Sequence, residues 1–173
     1  MLVKVNNEDH AVKSVQGYCK WISVKQNEVN NQKWESLNIK LTQDDLSIIL
    51  SLNFESSFAQ SFLRKAKNID FQKPIRVKAG KFTDSESKTI YWLNVEQDGK
   101  KVQNYFTKDS KEQLPEATKV MFKGKEQWDF SAVHEFYKKM IVDEIQQKLG
   151  DNLDEHSLPD FNVDDFNDNI SVD

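Results

Sequence analysis

Basic and aromatic side chains alternate with apolar ones along three neighbouring segments of the chain, residues 73–83, 88–96 and 100–107. Successive side chains of an extended strand point to opposite faces of a sheet. Each segment therefore has one apolar face, such as Ile75, Val77 and Ala79 in the first segment, and one face that could do chemistry. Together with one neighbouring lysine, the side chains of interest are Arg76, Lys78, Lys81, Phe82, Trp92, Lys101 and Tyr105.

The chemistry that suits this set is the binding of a single-stranded nucleic acid. Lysine and arginine neutralise phosphates, and exposed aromatic rings stack on unpaired bases whatever their sequence. If the three segments are adjacent strands, these side chains converge on one surface of the sheet. The alternative is that Phe82 and Trp92 are core residues, buried by a terminal helix or by the N-terminal strands, because aromatic side chains commonly fill cores.

Residue patterns typical of catalysis are missing from the sequence. His10, His134 and His156 are scattered, with no cysteine or histidine at metal-ligand spacing. The five glycines stand alone, so they form no glycine-rich phosphate loop. Cys19, the single cysteine, has no adjacent base and indicates a packed thiol. We therefore expect no enzyme activity, no catalytic residue, no metal and no cofactor; a nuclease built from dispersed acidic residues is the enzymatic alternative.

The elements that must position the predicted surface are mostly strands. Alternating or apolar runs predict strands at 17–25, 33–41, 46–53, 73–83, 88–96, 100–107 and 118–124. Asp98–Gly99 is a strong signal for a tight hairpin turn. Ser56 and Ser57 can cap a short amphipathic helix, and a second helix spans about 131–149 and ends at Gly150. This order predicts a mainly β fold, a small β-barrel with one inserted helix and a C-terminal helix.

Charge is distributed unevenly along the chain. Residues 151–173 contain eight acidic residues and no lysine or arginine, whereas residues 1–150 contain 24 basic and 20 acidic residues. The net charge of −4 therefore combines a body of +4 with a tail of −8. Such asymmetry suggests a nucleic-acid surface with an acidic arm. The alternative is an ordinary solubilising tail.

Length and composition are those of a globular domain with an appendage. We predict one domain over residues 1–150 and a tail, too poor in apolar residues to fold alone, over 151–173. A lone cysteine rules out an internal disulfide and fits a reducing compartment. The first ten residues lack the apolar stretch of a signal peptide, and the run LSIILSL at 46–52 is too short to cross a bilayer. The expectation is a soluble intracellular protein with no membrane partner.

Residues 56–108 resemble the OB-fold single-stranded DNA-binding proteins of tailed phages. The helix after Ser56, the stretch NIDFQKPI and the Asp98–Gly99 hairpin carry the likeness. The acidic tail resembles the C-terminal arms of phage and bacterial single-stranded DNA-binding proteins.

This resemblance implies an OB-like barrel that coats single-stranded DNA during phage replication, recombination or repair, in the cytoplasm of the infected host. It also implies that the tail competes with DNA and recruits replication enzymes such as a polymerase or a helicase-primase. The candidate tail residues for that role are Asp160, Phe161, Asp164, Asp165, Phe166 and Asp168. The alternative function is a protein-interaction adaptor or DNA mimic that works through its acidic tail. The sequence leaves monomer and dimer equally open.

Deleting residues 151–173 tests the electrostatic role of the tail. The deletion changes the formal net charge from −4 to +4. We expect the truncated protein to bind a single-stranded oligonucleotide more tightly than the full chain at about 20 mM salt. The advantage should shrink at about 200 mM salt, because exposed charges are then screened over less than about 8 Å. Fluorescence anisotropy at both salt concentrations is the measurement. Identical affinities for the two proteins at both concentrations would show that the tail does not compete with DNA.

Overall fold

A computed structural model describes residues 2–5, 8–11, 13–85 and 87–150 of the chain, and the fold in this part is mainly β. The strands are β1 Leu2–Val5, β2 Glu8–Ala11, β3 Ser14–Val29, β4 Gln32–Gln43, β5 Leu46–Asn53, β6 Ile75–Thr83, β7 Thr89–Gln97, β8 Lys100–Lys101, β9 Thr118–Phe122 and β10 Lys125–Asp129. The helices are α1 Ser57–Leu63, α2 Ser131–Met140 and α3 Gln146–Gly150. A 3₁₀ turn spans Ala66–Asn68, and a π-helical segment, Ile141–Ile145, joins α2 to α3. The predicted acidic tail lies outside the described residues.

Most of the predicted elements are confirmed, and one is wrong in extent. The expected strands at 17–25, 33–41, 46–53, 73–83, 88–96 and 118–124 correspond to β3, β4, β5, β6, β7 and β9, and both helices are present. The expected strand at 100–107 ends at Lys101. Beyond it the Tyr105 N–H donates to the Arg64 carbonyl at 2.7 Å, which takes the chain away from the sheet. The patterns did not predict β1, β2 or β10.

Eight strands form one antiparallel sheet in the order β2-β1-β5-β4-β3-β6-β7-β8. The long strand β3 belongs to both halves of this sheet. Its first residues, Ser14–Gly17, pair with β6, and the stretch from Tyr18 to Val29 pairs with β4. A bulge lies between Cys19 and Trp21. The strands β9 and β10 pair only with each other, as a separate two-stranded hairpin.

Tight turns join the paired strands. The β3–β4 turn uses Asn30 and Asn31 at φ 51° and 62°, and the turn after β7 uses Asp98 and Gly99 at φ 51° and 74°. Two consecutive residues with positive φ make the type I′ turn that matches the twist of a hairpin, and asparagine, aspartate and glycine accept that conformation most readily. The predicted Asp98–Gly99 hairpin is therefore confirmed.

The core lies between one face of the sheet and the helices. Ile22, Leu37 and Ile39 are almost fully buried on the sheet side. Phe62 of α1 and Tyr137 of α2 supply the largest rings from the helix side. The Ser56 hydroxyl accepts a hydrogen bond from the Ala59 N–H at 3.3 Å, so it caps α1 as the sequence predicted. Aromatic rings in this layer contact edge to face, as between Phe106 and Phe136 at 5.5 Å.

Lys67 ties three segments of the helix layer together. Its side chain is almost inaccessible to solvent. The ammonium pairs with Glu112 of the loop between β8 and β9 and, at 2.8 Å, with Glu144 of the π-helical segment. Burial alone would lower the pKa of Lys67, but the hydrogen bonds and charges of the two carboxylates outweigh it, so the pKa is raised and the lysine stays charged. Moving the loop away would leave the Lys67 charge buried without one of its carboxylate partners, which would lower the stability of the fold. The ion pairs therefore hold the loop against the helices.

The Cys19 thiol gives a test of the packing. Its side chain is 2 % exposed, and burial raises its pKa from 9.0 to about 12. The Cys19 thiol ionises near pH 9 in the unfolded chain but stays protonated at that pH in the folded chain. Its contribution to the free energy of unfolding is therefore complete below pH 9 and is lost as pH rises towards about 12. At pH 8 we expect Ellman's reagent to label Cys19 at least about 100-fold more slowly in buffer than in denaturant, because only the exposed thiolate reacts. Equal labelling rates would contradict the buried position.

Candidate nucleic-acid interface

Five of the seven predicted side chains lie on one face of the sheet, the face turned away from the core. The register pairs Arg76 with Glu96, Lys78 with Asn94, and Phe82 with Ile90 across β6 and β7. Glu96 in turn pairs with Lys101 of β8. Because opposed residues of an antiparallel pair point to the same side, these positions form one surface. We call it the basic-aromatic face, and it consists of Arg76, Lys78, Phe82, Trp92 and Lys101.

Positive charge exceeds negative charge on this face. The Lys78 ammonium is 2.7 Å from a carboxylate oxygen of Glu96. Arg76 donates from Nε to Gln16 Oε1 at 2.9 Å, which leaves the other guanidinium nitrogens without a described carboxylate. Lys101 forms no ion pair with another residue in the described part of the chain. Two of the three cations on the face are therefore able to neutralise a phosphate.

The ring of Trp92 is positioned by Gly80. The two residues face each other across β6 and β7. A Cβ placed on Gly80 would lie 2.7 Å from Trp92 Cε2 and 3.1 Å from Nε1, so the indole lies over the glycine backbone. A glycine inside a strand often marks such a close approach. Trp92 is consequently part-buried, while Phe82 two residues further along β6 is half-exposed.

Lys81 and Tyr105 lie away from this face. Lys81 pairs with Tyr91, so its side chain belongs to the opposite register of β6. Tyr105 lies beyond the end of β8, where its ring contacts Phe106 at 5.0 Å and sits 5.3 Å from the Lys67 ammonium. The expectation that both residues share one surface with Arg76 is wrong, because a one-residue offset reverses the face and because the expected strand ends early.

Three side chains that the sequence analysis did not select extend the face onto β3 and β4. Tyr18 follows Gln16 on the outward register of β3 and is 47 % exposed. After the bulge, Trp21 pairs with Lys40 of β4, also on the outward side. The usable signal was that WISVKQN at 21–27 and WLNVEQD at 92–98 each place a tryptophan opposite an apolar pair. A stripe of aromatic and basic positions therefore continues across the shared strand. Tyr18 is its exposed part, whereas Trp21 is part-buried and its Nε1 is covered, with no hydrogen-bond partner among the described residues.

In the ranges that the structure describes, no three histidine, cysteine, aspartate or glutamate side chains are grouped to hold a metal ion. None of the helices described is long and apolar enough to cross a membrane. The six candidate tail residues between Asp160 and Asp168 lie outside the described residues.

Comparison with known proteins adds no identification. No protein-family model, curated protein or solved structure matches the chain. Function must therefore be argued from the face itself.

The packing of Trp92 on Gly80 can be tested with a double-mutant cycle. Gly80→Ala should lower the free energy of unfolding by about 1–3 kcal/mol, because the added methyl overlaps the indole. In a Trp92→Ala background the same change should be neutral or stabilising by up to about 1 kcal/mol, since alanine suits a strand better than glycine. Denaturant unfolding of the four proteins gives the coupling energy. An equal effect of Gly80→Ala in both backgrounds would show that the ring does not rest on the glycine.

Proposed function

We propose that this protein binds single-stranded DNA through the basic-aromatic face and has no catalytic role. The observation that carries the proposal is the register of β6, β7 and β8, which puts Arg76, Lys101 and Phe82 on one surface turned away from the core. Single-stranded nucleic acid is recognised by such a combination, with cations along the backbone and rings that stack on bases. Duplex DNA offers the phosphates but no free bases, so we expect it to bind more weakly.

The order of the elements supports an OB-like barrel as the finer description of the fold. The chain runs through the meander β3-β4-β5, then α1, then the hairpin β6-β7. The long strand β3 pairs with both β4 and β6 and so joins the meander to the hairpin. In OB-folds the second and third strands of the barrel commonly contact oligonucleotides. If β3 is the first barrel strand, β4 and β5 are those strands, and Lys40 with its neighbour Trp21 lies on the expected path.

We propose the same setting that the resemblance implies, namely phage replication, recombination or repair in the host cytoplasm. In that setting the −8 tail competes with DNA for the positive face and, when released, offers Phe161 and Phe166 to a replication enzyme. The second candidate function, an adaptor or DNA mimic, is favoured by the same tail charge. It differs in predicting no binding of DNA by the folded body.

A salt titration tests DNA binding. If four to six phosphates are neutralised, the logarithm of the binding constant for a single-stranded oligonucleotide should fall with the logarithm of salt at a slope of about −3 to −4. Phe82→Ala should weaken binding by about 1–3 kcal/mol, the range for losing one stacked base, and should leave the thermal midpoint unchanged because the ring is half-exposed. Arg76→Ala should make the slope shallower by about 0.7.

The matched control is Lys139→Ala, which removes an equal charge from an exposed position of α2 in the helix layer. It should alter neither affinity nor slope. Equal affinity for single-stranded and duplex DNA, or binding that is independent of salt, would contradict the proposal. Binding of neither single-stranded nor duplex DNA would favour the adaptor.

A further inference from the structure

The hairpin formed by β9 and β10 stands apart from the sheet. Its strands pair only with each other, and every residue from Thr118 to Trp128 is exposed. An isolated two-stranded hairpin is marginally stable in water. Its base is nevertheless anchored, because the ring of Phe130, just after β10, stacks on His134 of α2, which in turn contacts the buried Phe54. The hairpin is an arm that is fixed at one end and open to solvent at the other.

Large apolar side chains on this arm remain more than half exposed. Met121 is 69 % exposed, Phe122 54 % and Trp128 57 %. The register divides them between the two faces of the arm. Phe122 pairs with Lys125 on one face, and Trp128 pairs with Lys119 on the other. Such exposure of rings beside ammonium groups is typical of a surface that receives a ligand.

Positive charge without a described carboxylate partner lies at the tip of the arm, residues 122–125. Near the base, Lys119 pairs with Glu126 at 2.7 Å. The Asp129 carboxylate accepts hydrogen bonds from the N–H and hydroxyl of Ser131, which lower its pKa. Lys123 and Lys125 at the tip have no described carboxylate partner. The net charge at the tip is therefore +2, and its natural complement is an anion.

The tip is a tight turn that brings one lysine beside the Phe122 ring and a second lysine across the strands from it. Lys123 and Gly124 have φ of 49° and 75°, the pair of positive values that closes a two-residue type I′ turn. The Lys123 ammonium lies 5.3 Å from the centre of the Phe122 ring, and Lys125 is the cross-strand partner of Phe122. One ammonium group therefore lies beside the ring, and a second lysine is attached directly opposite Phe122 on the neighbouring strand.

We propose that this tip, Phe122 to Lys125, is a second contact site for single-stranded DNA, separate from the basic-aromatic face. Phe122 stacks on one unpaired base, and Lys123 and Lys125 neutralise the phosphates on either side of that nucleotide. Charge complementarity favours this occupant, because an apolar protein partner would leave the two ammonium groups without counter-charges. The inference rests on the proposed DNA-binding function and adds a site that the sheet does not provide.

The experiment uses the full-length chain and a 5′-fluorescein-labelled oligothymidylate. Phe122→Ala should weaken binding about 5- to 150-fold, the equivalent of losing one base stack. Lys123→Gln combined with Lys125→Gln should make the salt slope shallower by about 1.4, from about 0.7 for each phosphate contact. Met121→Ala is the matched control, since it removes an exposed apolar side chain without a ring and should leave affinity unchanged. Circular dichroism checks that each variant is folded.

The result separates the two proposals. If the wild-type protein binds and Phe82→Ala weakens binding but Phe122→Ala does not, the arm is not a DNA contact and the basic-aromatic face stands. If the wild-type protein does not bind, the proposed function itself fails.

Two further outcomes overturn the inference in favour of another occupant. One is sedimentation that shows a dimer abolished by Phe122→Ala with DNA binding unchanged. The other is flotation with vesicles of phosphatidylcholine and phosphatidylglycerol that depends on Phe122 while DNA binding does not.

Discussion

The architecture depends on one strand serving two partners. β3 leaves β6 at Gly17 and continues on β4 from Tyr18. At that point the backbones are so close that a Cβ on Gly17 would lie 2.7 Å from the Thr42 carbonyl oxygen. Any side chain there would push β4 away and separate the halves of the sheet. Ile22 packs in the core on one side of the sheet, and the stripe from Lys40 to Trp92 lies on the other side. Both require the two halves of the sheet to be continuous.

The elements with clear alternation could be predicted from sequence, because burial on one side of a sheet imposes a period of two. β6 shows this directly, since Ile75 and Val77 are buried while Arg76 is exposed. The stretch 102–107 shows the same alternation but is fixed by contacts distant in sequence. Tyr105 bonds to Arg64, and the loop is held through the Lys67–Glu112 pair. No local pattern contains that information.

The same distinction between local patterns and contacts distant in sequence applies to the candidate site. Its strand residues were predictable because their faces follow from the pattern of buried neighbours, whereas Lys81 was assigned from charge alone and lies on the other register. Of the arm, β9 was predicted, but β10 was missed because KEQWD at 125–129 has no apolar alternation, so β10 is specified only by its pairing with β9. Trp92 packs on Gly80 and still keeps part of its side chain accessible, so an outward position in the pattern does not by itself predict full exposure.

The strand β8 has a consequence for how molecules behave when they are crowded together. It is two residues long, and both residues are lysines, at the outer end of the sheet. A short, positively charged edge is one of the means by which proteins prevent sheets from joining edge to edge. Two molecules that approach each other at this border meet like charges and repel. The protein can therefore reach high local density without extending its sheet from one molecule into the next through β8.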